Sequence, residues 1–363
     1  MVRRLYSGVY WFTERYALYL PTIGLIWGLI WDTLTLRRPD SLFENAAVLL
    51  YLTLSAGMIT LLNLRRSRGK EETPLMWLIV LQFAFGNLTS GLFILYAKSG
   101  TFAGALLFFV LLGALLLGNE LFRDRYSRIH IHTVVWYVLL LAYCIISVPI
   151  VINMFGDTAY LISVGVSLLA AGVFLSILYV LARSSFHGRH LHVFGSILTV
   201  ACLFSALYFA GALPPVPLMA REVGIYHFVE RKKDGSYYAQ FEQPAWYELF
   251  KNTAHVYTSG PGTPLYCFSA VFAPPNLDAR IVHRWEYWDA LSSKWVLASE
   301  IPFAITGGRD TGYRGYTKIS GTEKDISNEW RCSVETERGS LIARSSVVLQ
   351  EEINLPLLEE VIF

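Results

Sequence analysis

The sequence predicts a membrane-embedded all-α bundle of about seven transmembrane helices, followed by a C-terminal antiparallel β-sandwich. Three observations predict it. The 363-residue chain is 54% hydrophobic and only 16% charged, about a third below the charge of a soluble chain, and its mean hydropathy is +0.43. Its charge is unevenly divided, +6 over residues 1–220 and −4 over residues 221–363, which together give the net +2. Finally, long apolar runs fill the first part, whereas the second alternates polar and apolar residues between turn signals. Disordered, collagen-like and nucleic-acid-binding classes are excluded by the low charge and the 15% aromatic content. Four cysteines in 363 residues are too sparse for a disulfide scaffold.

A hydrocarbon core about 30 Å thick takes about 20 apolar residues as helix. Seven runs approach that length: Tyr16–Leu36, Leu42–Leu64, Leu75–Ala97, Thr101–Asn119, Thr133–Met154, Ala159–Ala182 and Val193–Leu213. In lipid every backbone N–H needs an internal partner, so helix is the expected state. The first run is too long, and too poor in a small-residue cleavage site, for a signal peptide. Twelve basic residues, among them Arg3, Arg4, Arg65, Arg66, Arg123, Arg125, Arg183 and Arg189, lie on one side of these runs. The other side carries only Arg37, Arg38 and Lys98. The positive-inside rule puts the N-terminus in the cytoplasm, and an odd number of spans exports the second half.

Gly24 with Gly28, Gly100 with Gly104, and the series Ser163, Ser167 and Ala171 space small residues four apart, which suits close helix packing. No inverted repeat or pair of broken helices suggests a secondary transporter, and no ionisable residue lies clearly at mid-membrane depth. The polar cluster Asn87, Thr89 and Ser90, with Gln82 one turn earlier, fits a pathway or interhelical hydrogen bonding equally well.

Residues 1–213 are therefore read as the membrane domain, 214–260 as a linker, and 261–363 as the β-sandwich. In the linker, Gly224–Arg231 and Ser236–Glu242 flank Lys232-Lys233-Asp234-Gly235, and Asp-Gly is a strong hairpin signal. Pro244–Asn252 reads as a short amphipathic helix. Six strands are expected at Leu265–Phe272, Arg280–Asp289, Lys294–Ile305, Gly312–Ser320, Glu329–Glu337 and Ser340–Gln350, all aromatic or β-branched and bounded by turn residues.

The runs LYCFSAVF, HRWEYWD, IPFAITGGRDTGYRGYTKIS and EWRCSVETERGSLIARSSVVL carry a resemblance. Over Leu265–Leu349 the chain resembles a bacterial domain-of-unknown-function family, number 2914, with its His-x-Trp strand, Gly-Gly-Arg turn and Trp-Arg strand. The resemblance implies an extracytoplasmic β-domain joined to membrane helices, and it brings no activity or catalytic residue. Cys332 stands where an aliphatic residue is expected, so its role is read from this chain alone.

The densest chemistry lies in the turn from Gly307 to Tyr316. Its glycines permit tight turns, Arg309 and Arg314 offer planar forks for carboxylate or phosphate, and Tyr313 and Tyr316 offer flat amphipathic faces. With Asp310, and with Trp285 and Trp288 from the neighbouring strand, they form the candidate ligand-binding set. The competing reading is a structural turn with its aromatics in a core. No catalytic constellation is assigned: His283 shares a strand face with Asp289 but not with Glu286. Cys267 and Cys332 could bridge in an oxidising compartment, and the sequence leaves both states open. His130, His132, His187, His190 and His192 cluster in two cytoplasmic loops, but their spacing matches no histidine box. No metal or cofactor is assigned.

The function expected is that of a bacterial inner-membrane protein whose bundle anchors a periplasmic β-domain. That domain would bind an envelope glycan, a lipid-linked intermediate or a partner protein. The expected partners are thus the bilayer and one of these, not nucleic acid. The alternative is a membrane-embedded enzyme or transporter acting on lipid or envelope glycan.

Overall fold

Helices fill the first part of the chain and strands the second, and the chain divides into two compact units on that line. The structure, a computed structural model, describes residues 40–69, 75–99, 106–121, 129–183, 190–244, 253–259, 263–309, 311–320, 329–351 and 357–363. Its helices are α1 (Leu42–Ser67), α2 (Leu75–Lys98), α3 (Leu106–Leu121), α4 (Ile129–Ile152), α5 (Asp157–Leu181) and α6 (His190–Phe209). Five of these six are long and apolar enough to cross a membrane; α3 has 16 residues. The run expected at Tyr16–Leu36 lies outside the described residues, as do Gly24, Gly28, Gly100 and Gly104.

Helix α4 is the centre of this unit. Its stretch from Trp136 to Ile146 is buried throughout, which is why VWYVLLLAYCII has no polar face: a helix apolar all round is one packed on every side. Neighbouring helices are tied to it through the polar tips of aromatic side chains. Trp136 Nε1 donates to Leu52 O on α1 at 3.0 Å, and Tyr96 on α2 donates to Ala142 O at 2.8 Å. Tyr143 donates to Asn45 Oδ1 at 3.0 Å, and Tyr137 and Ser167 hydroxyls meet at 3.3 Å. Away from water such groups need protein partners.

Helix α5 is inverted in polarity relative to a soluble surface helix. Ser163, Ser167 and Ala171 are buried, while Leu169 and Val180 are 73% and 77% exposed. Small residues thus face the protein and large apolar ones face outward, as a lipid solvent favours. Asn87 and Thr89 satisfy themselves on their own helix, bonding Phe83 O at 2.8 Å and Phe85 O at 2.7 Å.

Eleven strands in three sheets are described in the second unit. The strands are β1 (Met219–Tyr226), β2 (Phe228–Arg231), β3 (Tyr237–Phe241), β4 (Val256–Ser259), β5 (Leu265–Phe272) and β6 (Asp278–Asp289). They continue with β7 (Lys294–Thr306), β8 (Tyr313–Ile319), β9 (Glu329–Thr336), β10 (Leu341–Glu351) and β11 (Glu359–Ile362). The sheets run β1-β5-β8, β4-β10-β9-β6-β7 and β11-β3-β2.

Strand β5 shows how they stack. All eight of its residues are buried. Leu265, Cys267 and Val271 pack with Trp285, Trp330, Cys332, Ile281 and Val334 of the five-stranded sheet. Tyr266, Phe268 and Ala270 point the other way, against Val229, Tyr237 and Ala239 of the third sheet. A strand buried on both faces reads as a continuous apolar run, not an alternation, and LYCFSAVF is such a run.

The second unit, expected as a sandwich behind a linker, is β-rich and holds three sheets. Residues 214–260 supply β1 to β4, and the third sheet covers the face that a two-layer arrangement would leave open. The hairpin at Lys232–Gly235 forms as the Asp-Gly signal requires: Lys232 N–H donates to Ser236 O at 2.8 Å, and Gly235 sits at φ +85°. The helix expected at Pro244–Asn252 falls on residues 245–252, outside the described ones.

The burial pattern of α5 yields a paired prediction. Ser167→Leu, which forces a large side chain against Tyr137, should cost about 1–3 kcal/mol. Leu169→Ala, on the outward face, should change stability by less than about 0.5 kcal/mol. Thermal unfolding of the two variants in detergent, followed by circular dichroism, checks the difference.

Candidate functional site

The Gly-rich turn between β7 and β8 is fastened to the turn between β5 and β6. A Cβ on Gly307 would lie 1.7 Å from Pro274 O, so no other residue fits without moving backbone. Gly307 N–H donates to Leu277 O at 2.9 Å and Gly308 N–H to Ala273 O at 3.1 Å. Gly312, at φ +86°, lies against the backbone of Val271. This segment is a fixed support, and what it presents is the start of β8. Asp310 lies outside the described residues.

Along β8 the alternation divides the candidate residues. Tyr313 packs toward the five-stranded sheet with Val271 and Ile281, and Thr317 is buried on that side. Arg314, Tyr316 and Lys318 take the other face, opposite Ala270, Phe268 and Tyr266 of β5. There Tyr316 remains 38% exposed. Its ring lies 6.1 Å from that of Tyr237 and 6.2 Å from that of Tyr266.

Cations are interleaved with these rings. Lys318 Nζ lies 5.5 Å over Tyr266, Arg231 6.0 Å over Tyr237, and Arg309 6.0 Å over Tyr313. The Tyr237 hydroxyl donates to Arg314 O at 3.1 Å. Burial raises the pKa of this phenol, while Arg231 and Arg309 act to lower it. Among the described residues, none of Arg231, Arg309, Arg314 and Lys318 forms an ion pair.

The outer face of the five-stranded sheet behaves differently. Arg331 Nε donates to Glu286 Oε2 at 2.6 Å and its guanidinium stacks 4.1 Å over Trp295. Arg284 lies 3.7 Å from Glu286 and 3.8 Å from Glu335, and Arg344 Nε donates to Ser333 Oγ at 2.8 Å. Glu335 has a raised pKa because burial outweighs Arg284 beside it. Here each arginine has its partner. Trp288 belongs to this face, its ring 5.5 Å from that of Trp295. Trp285 is on neither surface: it is fully buried and donates to Thr317 Oγ1 at 3.0 Å. The six described candidate residues therefore do not lie on one surface. Arg309, Arg314 and Tyr316 share the tyrosine and cation patch with Arg231, Tyr237, Tyr266 and Lys318, which the sequence reading missed.

A second polar group sits inside the core. Cys267 on β5 and Cys332 on β9 are joined by a disulfide, with Cα atoms 6.3 Å apart and a sequence separation of 65. Closing a loop of that length stabilises by about 4 kcal/mol in the chain-entropy model. Beside it, His283 Nε2 meets Ser269 Oγ at 2.8 Å and Nδ1 meets Thr317 Oγ1 at 3.0 Å. Ser269 and His283 have no exposed surface, and their hydrogen bonds make them a satisfied polar tie between the sheets. Burial lowers the His283 pKa to about 3. Period-two alternation could have found this group, since Ser269 and Thr317 are polar at inward positions.

His130 and His132 lie in the first turn of α4. His130 Nε2 meets Ser196 Oγ at 3.1 Å, while the His132 ring lies 6.4 Å from that of Phe85. His190 and His192 open α6, and His187 lies outside the described residues. Among the described residues only Cys267, His283 and Cys332 bring three metal-ligating atoms together.

Comparison with known proteins places one part of this chain. Residues 278–347, the strands β6 to β9 and most of β10, match a family described as protein of unknown function, DUF2914. No relative is found among curated proteins. Among the solved structures that align with the chain is the Pseudomonas fluorescens alkylpurine DNA glycosylase AlkC bound to DNA containing an abasic site analog. Its identity is 10% and its TM-score 0.23, over 86% of this chain and 99% of that one. A likeness that slight carries no argument.

The neutral, buried His283 makes stability pH-dependent in a defined direction. Its pKa is lower folded than unfolded, so its contribution is complete above about pH 6.5 and is lost as pH falls toward about 3. By about pH 4.5 the loss should reach roughly 2–3 kcal/mol. Melting temperature against pH should fall more steeply from pH 6.5 to 4.5 in the disulfide-bonded wild type than in His283→Gln; equal slopes would reject the assignment.

Proposed function

We propose that this chain is a multi-pass inner-membrane protein, its helices anchoring an extracytoplasmic binding domain that takes an anionic envelope glycan on the tyrosine and cation patch. Seven spans and an inside N-terminus follow from the apolar runs and the basic loops, and they export the β-unit. A disulfide in that unit fits an oxidising compartment. The first two sheets serve as a sandwich core, and the third adds Arg231 and Tyr237 to the patch.

The observation that carries the reading is the contrast between two sets of arginines. Those on the five-stranded sheet are matched by carboxylates or a serine. Arg231, Arg309, Arg314 and Lys318 lie among tyrosine rings without ion pairs among the described residues, on a half of the chain whose net charge is −4. Guanidinium forks suit carboxylate or phosphate groups, and exposed phenol faces suit the flat faces of sugar rings. An anionic glycan supplies both.

Two measurements test this. Full-length protein in detergent should bind uronate- or phosphate-bearing oligosaccharides in preference to neutral ones, more weakly as salt rises. Arg314→Ala and Tyr316→Ala should each weaken that binding about tenfold, with Arg331→Ala, on the other sheet, serving as a control that leaves it unchanged. Undiminished binding by both patch variants would reject the site. Separately, alkaline phosphatase fused after Phe363 should be active and a green fluorescent fusion dark; the opposite pattern would place the β-unit in the cytosol.

A further inference from the structure

Between the central sheet and the five-stranded sheet, sulfur, imidazole and hydroxyl groups from four strands meet in one small volume. Cys267 and Ser269 come from β5, Thr317 from β8, His283 from β6 and Cys332 from β9. The register brings them together: Thr317 pairs with Cys267 on one sheet, and Trp285 pairs with Cys332 on the other, with His283 one inward position away. Ligand atoms of Cys267, His283 and Cys332 lie within 4.8 Å of one another, and all three residues are buried.

Two sulfurs and an imidazole make a donor set for a thiophilic ion. Zinc bonds of about 2.3 Å to sulfur and 2.0 Å to nitrogen put the ligand atoms of a tetrahedral site about 3.5–3.8 Å apart. Ligand atoms already within 4.8 Å reach that spacing by small side-chain rotations once the sulfur–sulfur bond is open. Ser269 and Thr317 hydroxyls can turn to donate or accept, so either can release an imidazole nitrogen to a metal.

We propose that Cys267, Cys332 and His283 bind one zinc ion when their bridge is reduced, making the core an oxidation-gated metal site. A dithiol reductant transfers two electrons and two protons to the bridge and becomes a disulfide itself. The Cys267–Cys332 bond breaks to two thiols, and zinc displaces their two protons to leave two thiolates on the metal. A serine or threonine hydroxyl, or water, completes four-coordination. Two thiolates are costly in an apolar core without a cation, and zinc supplies that charge while holding the two sheets in register. Oxidation by a disulfide reverses both steps and expels the metal. This site is independent of the glycan reading, since it shares no residue with the patch.

The test uses full-length protein in detergent, reduced by a dithiol with zinc or cobalt present and then freed of excess metal. The reduced protein should retain about one zinc per chain and the oxidised protein none. Cobalt should give a thiolate charge-transfer band in the reduced wild type, a readout that needs no variant. Cys332→Ser and His283→Ala should each weaken zinc binding about 100-fold, with Cys144→Ser and Cys202→Ser variants unchanged. Labelling with mass spectrometry confirms that Cys267 and Cys332 are reduced, and tryptophan fluorescence reports the fold around Trp285. A reduced, natively fluorescent protein without metal overturns the proposal. So does full zinc retention by Cys332→Ser or His283→Ala, or loss of native fluorescence on reduction despite zinc.

Discussion

The burial of one strand on both faces organises the β-unit. Leu265, Cys267 and Val271 require one partner sheet, and Tyr266, Phe268 and Ala270 require another. A single sheet packed on one side would leave a large apolar side chain such as Phe268 or Leu265 in water, forfeiting about 1.5–3 kcal/mol of burial. Three layers are the arrangement that satisfies both faces. The disulfide then fastens this strand to β9, where the β1-β5-β8 sheet meets the five-stranded sheet.

Much of this was legible in the sequence wherever the signal is local. Apolar runs near α1, α2, α4, α5 and α6 read as spans because lipid imposes helix on any long apolar stretch. Glu329–Glu337 read as a strand because Trp330, Cys332 and Val334 alternate with polar residues, and β9 covers Glu329–Thr336. The third sheet was not legible. Its strands β2 and β3 read as an isolated hairpin, and the strand that completes the sheet, Glu359–Ile362, pairs with Tyr238–Phe241 across more than a hundred residues. No local pattern announces such a pairing.

The candidate site divides for the same reason. Arg314 and Tyr316 belong together by alternation, but Tyr237 and Arg231 reach them from the third sheet and Tyr266 from β5. Trp285 and Trp288 are near in sequence, yet the strand turns one into the core and the other outward. Proximity along the chain grouped residues that the pleat separates. The core group of Ser269, His283 and Thr317 was half legible: alternation marks Ser269 and Thr317 as polar at inward positions, but only the stacking of two sheets brings their hydroxyls to the imidazole.

The two faces of the β-unit show how one composition serves different ends. On the five-stranded sheet, Arg331 and Arg284 are fixed by Glu286 and Glu335, and Trp295 covers a guanidinium. A ligand there would have to displace the largely buried Arg331–Glu286 pair, and breaking such a pair leaves a buried charge uncompensated. At the tyrosine patch the cations lean on aromatic faces, a weaker interaction of about 0.5–1 kcal/mol when exposed. An incoming anion would add a charge-assisted hydrogen bond without breaking an existing ion pair. Arginine content alone does not distinguish the two faces. The presence of carboxylate neighbours does, and it favours the patch as the surface that recruits a ligand.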